Sequence, residues 1–496
     1  MRVRRAATRA NSAATKKALA STSSTTASRR RPSDSEGDAG IEAGTYPVVT
    51  RLQAPPYTAL APHLPQFGRF GGADPETVAS VRAILDDVRA RGDAGVRDQT
   101  RRLDDIDLAP REWEVPVAGC QEALERLPSP LVAALEIAAA RVRDYHARQV
   151  ERGFSTRDAD GTEIGMQVVP LERVGVYVPG GKAAYPSTVL MTALPARVAG
   201  VGEIVMVTPP GGTPDVVLAA ARLAGVDRVF RVGGAQAIAA LAYGTPTIPR
   251  VDKIVGPGNR FVTEAKRQVA GDVGIDMLAG PTEVLVLADD TADVRAVAAD
   301  LIAQAEHDED ACAWCVTTST LLADGLSGEL ARQMERSPRR AIVERALAAR
   351  GVVVVVPDLD AAVEVANRRA PEHLELLVRD PWAVARRIRH AGAIFVGDST
   401  PEPVGDYLAG PSHVLPTGGA ARYVSPLGVY DFVKRMSVIC YSRERLERDA
   451  AHIVALAEAE GLYGHAEAVR VRTSDIRRQT SDVTRHTSES GTKSDV

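Results

Sequence analysis

The residues best placed to do chemistry begin at 301–307, Leu-Ile-Ala-Gln-Ala-Glu-His. Gln304 and His307 are three apart at the end of an apolar-periodic run from Ala292, so on a helix they share a face. An amide oxygen beside an imidazole can form half of a metal site or a substrate clamp. The plain alternative is a solvated helix end running into Asp308-Glu309-Asp310. Glu372 and His373 follow Pro371, and a carboxylate beside an imidazole in a turn after a helix suits acid–base work. An acidic first turn of a helix is the alternative there. Asp406, a hard oxygen donor, and His413, a ligand, hydrogen bonder or loop staple, share one Gly/Pro-rich stretch; His465 stands five residues after Glu460. Together Gln304, His307, Asp406 and His465 offer two imidazoles, one carboxylate and one amide oxygen. That set suits zinc or another borderline divalent metal with positions left for substrate. The four are far apart in sequence, so spacing does not establish that they meet.

Elements that could bring them together follow an alternating pattern. Val174–Val178, Glu203–Thr208, Arg228–Val232 and Lys253–Val255 read as short apolar strands, each followed by a Gly-rich turn and a helical run. Strand–helix alternation of this length predicts βαβ units on a parallel sheet. Gly-rich turns at strand ends are where such sheets bind ligands and where helix N-termini attract phosphate; tight turning alone is the alternative. None of these turns carries G-x-G-x-x-G, so a standard Rossmann fingerprint is absent. A second series follows, with strands at Glu283–Ala288, Ala313–Thr317, Val352–Val356 and Ala393–Val396. Residues 400–425 are expected to be a long functional loop. Before these series, Asp74-Pro75 and Ser129-Pro130 open helices to about Ala90 and Gln149, in what reads as a helical layer; a last helix is expected from Arg445 to Ala468.

The chain has 496 residues, 45% of them hydrophobic and 25% charged, an ordinary globular mix with room for two to four domains. A net charge of -4 gives no reason to expect a nucleic-acid or membrane surface, and the apolar runs are too short and broken to span a bilayer. Four cysteines argue against a disulfide framework and for a reducing compartment. Cys312-Ala-Trp-Cys315 could be a redox or zinc half-site, but it lacks a second pair and reads as buried strand. Residues 1–45 hold no acid before Asp34 and are rich in Arg, Ala, Ser and Thr, so a disordered extension or a transit peptide is expected; no apolar h-region points to secretion. Residues 473–496 read as a second polar tail.

Longer stretches carry a resemblance. Val-Gly-Val-Tyr-Val-Pro-Gly-Gly at 174–181, Gly-Gly-Ala-Gln-Ala-Ile-Ala-Ala-Leu-Ala at 233–242 and Gly-Pro-Gly-Asn-Arg-Phe-Val-Thr-Glu-Ala-Lys at 256–266 come first. Ala-Gly-Pro-Thr-Glu-Val-Leu-Val at 279–286 follows, then Gln-Ala-Glu-His, Ala-Pro-Glu-His-Leu, Gly-Asp-Tyr and Ser-His-Val-Leu-Pro-Thr. In order and spacing residues 173–470 resemble the histidinol dehydrogenases. The resemblance implies a zinc-dependent, NAD-linked four-electron oxidation of L-histidinol through L-histidinal to L-histidine. It implies one zinc per subunit held by Gln304, His307, Asp406 and His465, with His373 as base and Glu372 activating water. Thr282, His413 and Glu460 would line the substrate site with them, and Tyr177, Gln236 and Asn259 would touch NAD. It also implies two Rossmann-like doubly wound α/β domains, small terminal arms and an intertwined homodimer, with Glu460 and His465 completing the partner's site. The expected divisions are an extension at 1–45, an arm at 46–67, a first domain from 68–171 with 283–426, an NAD-binding domain at 172–282, a helical arm at 427–472 and a tail at 473–496. Such an enzyme is expected in the cytoplasm, or in an organelle if residues 1–45 are a transit peptide. Departures are Asp308-Glu309 after Gln-Ala-Glu-His, Pro411-Ser412 before His413, and Tyr463 between Glu460 and His465. Two rivals stay open: a related zinc/NAD alcohol dehydrogenase acting on a sulfonated diol or another amino alcohol, and a non-enzymatic metal-dependent binding protein.

Overall fold

The computed structural model of the chain describes residues 49–53, 73–180, 184–211 and 213–473. Both expected tails, apart from Thr473, and most of the expected 46–67 arm lie outside the described residues.

Two six-stranded sheets organise the rest. The first has the order β2-β7-β6-β5-β8-β9, made from β2 (Glu114–Val115), β5 (Arg173–Tyr177), β6 (Glu203–Thr208), β7 (Arg228–Arg231), β8 (Lys253–Val255) and β9 (Gly274–Ile275). All neighbours are parallel except β2 and β7. The second has the order β1-β12-β11-β10-β13-β14 and is parallel throughout. Its strands are β1 (Thr50–Gln53), β10 (Glu283–Ala288), β11 (Cys312–Thr317), β12 (Gly351–Val355), β13 (His373–Leu377) and β14 (Ala393–Val396). Both sheets wind the same way: the chain starts in the middle, steps outward through two strands, then returns across to the other side. The crossover lies between β5 and β8 in one sheet and between β10 and β13 in the other, the switch-point geometry of doubly wound folds.

Helices cover both faces of each sheet. Pro186–Ala199 and Asp215–Ala224 bury one face of the first sheet with Ser129–Ala147, while Pro75–Arg91, Gly234–Tyr243 and Arg260–Val269 bury the other. On the second sheet Val294–Ala305, Thr320–Met334 and Arg340–Arg350 lie opposite Leu359–Arg369. Strands buried on both faces read as continuous apolar runs, as Val284–Ala288 does.

The structure departs from the sequence expectations in four places. Residues 75–147, expected beside 283–426, pack instead on the 172–282 sheet: Trp113, Val81 and Leu85 join its core, and β2 extends its edge. Thr50–Gln53, expected within an arm before the fold begins, is an edge strand of the second sheet. Residues 154–170, on which the sequence carried no expectation, form β3 (Phe154–Arg157) and β4 (Glu163–Pro170). The C-terminal arm, expected to be helical, opens with β15 (Val433–Cys440), which pairs with β4 in a separate three-stranded antiparallel sheet. The final helix is broken: Arg443–Ala459 stops before Glu460, and helix resumes at 463–473 after Gly461. Among the described residues no helix is long and apolar enough to cross a membrane.

Candidate active site

The carboxylate–imidazole pair sits at the amino end of the second sheet, where β10 and β13 lie side by side with Val284 opposite His373. His373 is the first residue of β13, not part of a turn, and is buried with Glu372. The preceding helix, Leu359–Arg369, ends on Ala370 in a left-handed conformation at φ 49°, and Pro371 then leads into the strand. That abrupt exit drives Glu372 and His373 inward together.

Glu372 is held from the neighbouring strand. Its Oε2 accepts from the Thr282 hydroxyl at 2.6 Å and from the Glu283 N–H at 2.9 Å. Thr282 Oγ1 in turn accepts from Gln304 Nε2 at 2.9 Å. Burial pushes the Glu372 carboxyl well above the usual range, and nearby Glu283 and Asp406 add to that. The His373 ring faces the Glu283 carbonyl through Nδ1 at 3.2 Å. That contact selects the Nδ1–H tautomer and leaves Nε2, a buried atom without a partner, as a free base 4.0 Å from Asp406 Oδ1. Burial lowers the His373 pKa to about 4, against the opposing pull of Asp406, so the ring is neutral near pH 7.

Asp406 reaches the site from a helix inside the expected loop. Residues Glu402–Tyr407 are helical, opened by Pro401, and Gly405 seats them against the Phe395 ring, where a Cβ would meet the ring at 2.6 Å. On that helix Glu402 and Asp406 share a face. Potential ligand atoms of His307, Glu402 and Asp406 all lie within 4.8 Å of one another. Glu402 was not singled out from the sequence; its four-residue spacing from Asp406 was the available signal, hidden by the prolines on either side. His413 packs beside the cluster, Nδ1 facing the Asp406 carbonyl at 3.2 Å and Nε2 facing Thr188 at 3.4 Å. A cavity of about 140 Å³ opens here, lined by His373, Phe395, Asp406 and His413 among others.

The donor set fits a divalent cation. Gln304 contributes a fully buried amide oxygen with no partner, and the His307 imidazole and the Glu402 and Asp406 carboxylates converge within a cation's reach. Although Gln304 and His307 are close, Gln304 is buried and His307 exposed. Glu460 and His465 are exposed on the arm, and His465 does not belong to the convergent group among the described residues.

The three residues expected at NAD lie at the carboxyl edge of the first sheet. Tyr177 ends β5; its hydroxyl accepts from Gly234 N–H at 3.1 Å, and burial pushes its pKa up to about 12. Gln236 is fully buried in the first turn after β7, with its amide NH₂ 3.4 Å from Thr100 and 3.3 Å from Asp104. Asn259 caps the helix after β8, accepting from Phe261 and Val262 N–H. Only Asn259 is exposed; Tyr177 braces the Gly233-Gly234 turn, and Gln236 ties the start of its helix to Thr100 and Asp104. Beneath the neighbouring turn the buried Lys266–Asp276 ion pair grips Gly256: Lys266 donates to its carbonyl at 3.0 Å and Asp276 accepts its N–H at 2.8 Å. Cys312 and Cys315 are buried in β11, and desolvation pushes both thiols up, Cys315 to about 12, as core residues rather than thiolate ligands.

Residues 71–473 match the family model for histidinol dehydrogenase. The chain belongs to the histidinol dehydrogenase family. Among curated relatives, the histidinol dehydrogenase of Heliobacterium mobile is 52% identical over 402 residues, 80% of this chain and 94% of that one. That of Chromobacterium violaceum is 53% identical over 408 residues, 81% of this chain and 93% of that one. The crystal structure of histidinol dehydrogenase from Elizabethkingia anophelis superposes with a TM-score of 0.81 at 32% identity, covering 86% of this chain and 99% of that one. As a family member the chain is an NAD-dependent oxidoreductase with a doubly wound α/β fold.

Proposed function

We propose that this chain oxidises L-histidinol through L-histidinal to L-histidine, consuming two NAD. The observation that carries this reading is the neutral, partnerless Nε2 of His373 beside Asp406, in a member of this family. His373 takes the alcohol proton at Nε2, and its Nδ1–H stays on the Glu283 carbonyl throughout. Glu372, oriented by Thr282 and Glu283, takes a proton from the water that adds to the aldehyde. A raised pKa makes it the stronger base once ionised. Gln304, His307 and Asp406 would hold zinc with His465 from the arm of a second copy; Glu402 adjoins them. When bound, zinc supplies a Lewis acid for the substrate's imidazole and amine, and NAD supplies the hydride acceptor. Thr282, His413 and Glu460 line the substrate, and Tyr177, Gln236 and Asn259 serve NAD on the 172–282 domain.

A homodimer is part of the same proposal. The arm exposes Ile439, Leu456 and Tyr463 at 68, 69 and 71%, an apolar face of the kind that subunit contacts cover. A cytoplasmic location is proposed with it. The test is NADH absorbance with L-histidinol before and after chelation: two NADH per histidinol, lost with the metal and restored by zinc. Turnover of a sulfonated diol alone would reject the substrate, and no NADH with any alcohol would reject the activity.

A further inference from the structure

We propose that the buried Glu283–Arg369 ion pair is a positioning device for Glu372 and His373, and the inference rests on the function proposed above. Glu283 and Arg369 are 3% and 4% exposed and pair directly, deep between β10 and the end of the helix Leu359–Arg369. Burying two charges is costly, and an apolar pair of similar volume often serves stability as well, so stability alone is a weak reason for this one. Its surroundings supply another. Apart from the carboxylate oxygen that pairs with Arg369, the polar groups of Glu283 meet active-site residues or the loop beside them. Its N–H donates to Glu372 Oε2, its carbonyl faces His373 Nδ1, and its free carboxylate oxygen accepts from Gly418 N–H at 3.0 Å. Gly418 ends the loop that carries His413, and neighbouring Thr417 accepts from Gly280 N–H at 2.6 Å. Arg369 lies four residues before His373, immediately ahead of the left-handed Ala370, and its guanidinium rests 5.4 Å from the Trp314 ring centre. One ion pair therefore ties together the start of β10, the entry to β13 and the His413 loop. The ladder between β10 and β13 already sets the register of the two strands, with Val284 opposite His373. The ion pair adds a directional, charge-assisted tie from Glu283 to the chain just ahead of His373 and, through Gly418, to the His413 loop, and a misplacement of about 1 Å at a reacting group costs roughly a hundredfold in rate.

The full-length zinc-loaded enzyme tests this. A charge-free double variant, Glu283→Gln with Arg369→Met, avoids an unpaired buried charge. Gln keeps an acceptor for Gly418, and Met keeps the apolar stem. The expected result is kcat lowered about ten- to hundredfold, with KM for NAD and zinc content within about twofold of the parent. Arg369→Lys, which keeps the charge, should restore kcat to within about fivefold. A zinc-loaded double variant with parental kcat would overturn the positioning role, as would losses of kcat, NAD affinity and zinc in equal proportion. If the parent fails to oxidise histidinol, the proposed function falls instead. A crystal structure of the double variant then decides independently: a displaced Glu372–Thr282 contact supports the device, and unchanged placement refutes it.

Discussion

Lys266→Met should destabilise the first sheet more than any surface change in this chain. The Lys266 and Asp276 side chains are 3% and 0% exposed and form a direct ion pair. Removing one partner of a buried pair costs about 3–5 kcal/mol because the other charge is stranded. Asp276 would retain two backbone donors, Gly256 N–H at 2.8 Å and Met277 N–H at 2.6 Å, which places the loss at the lower end, about 3 kcal/mol. At a urea slope of about 3 kcal/mol/M the unfolding midpoint falls by about 1 M. Trp113, fully buried in the same core, reports the transition by fluorescence. Adding Asp276→Asn removes the stranded charge and should recover about half of the loss, since Asn keeps one acceptor. An unchanged midpoint in Lys266→Met, or a double variant weaker than the single one, would refute the view that this pair, rather than the surrounding apolar packing, clamps the Gly256 turn.

His373→Asn should lower kcat roughly a hundredfold or more while metal analysis finds zinc retained; full activity would remove His373 from the base role. Gly256→Ala sets a Cβ 2.2 Å from the Tyr177 carbonyl at φ +109°, and the Trp113 transition should report about 3 kcal/mol lost. Burial lowers the His146 pKa below 6.5, so the unfolded chain takes up the proton first. The stability tied to neutral His146 is therefore present above pH 6.5 and drains away as pH falls through the folded value. His146→Leu should flatten the urea midpoint between pH 7 and 5, and an equal slope in both proteins would discount this histidine.

Strands buried on both faces were the most legible elements, because a short apolar run between Gly-rich turns has few other places to go. Glu203–Thr208 and Glu283–Ala288 lie where the residues put them, and so do Lys253–Val255 and the partly exposed edge strand Ala393–Val396. What stayed hidden depended on partners distant in sequence. Val433–Cys440 is a strand because β4 lies beside it, pairing Val433 with Pro170, and Lys434, Arg435 and Ser437 blurred its apolar pattern. Thr50–Gln53 is ordered by pairing with Val352–Val355, 302 residues further along the chain. Within the site, residue types marked Gln304, His307, Glu372, His373 and Asp406 as candidates, each with a plain structural alternative beside it, and the family resemblance supplied the roles that spacing could not. Glu402 and Arg369 gave no such sign: one sits between two prolines, and the other looks like a surface arginine until its burial beside Glu283 is known.

The edge strand Thr50–Gln53 has a practical consequence for anyone shortening this polypeptide. It pairs with β12 from Thr50 opposite Val352 to Gln53 opposite Val355. A version beginning at residue 71, where the family match begins, would bare a row of unpaired amides and carbonyls along Gly-Val-Val-Val-Val. Bare valine-rich rims recruit whatever extended segment is nearby, most often the same rim on another molecule. Trimming the amino end for convenience is thus expected to trade a tidy border for clumping, even with every group at the reaction centre intact.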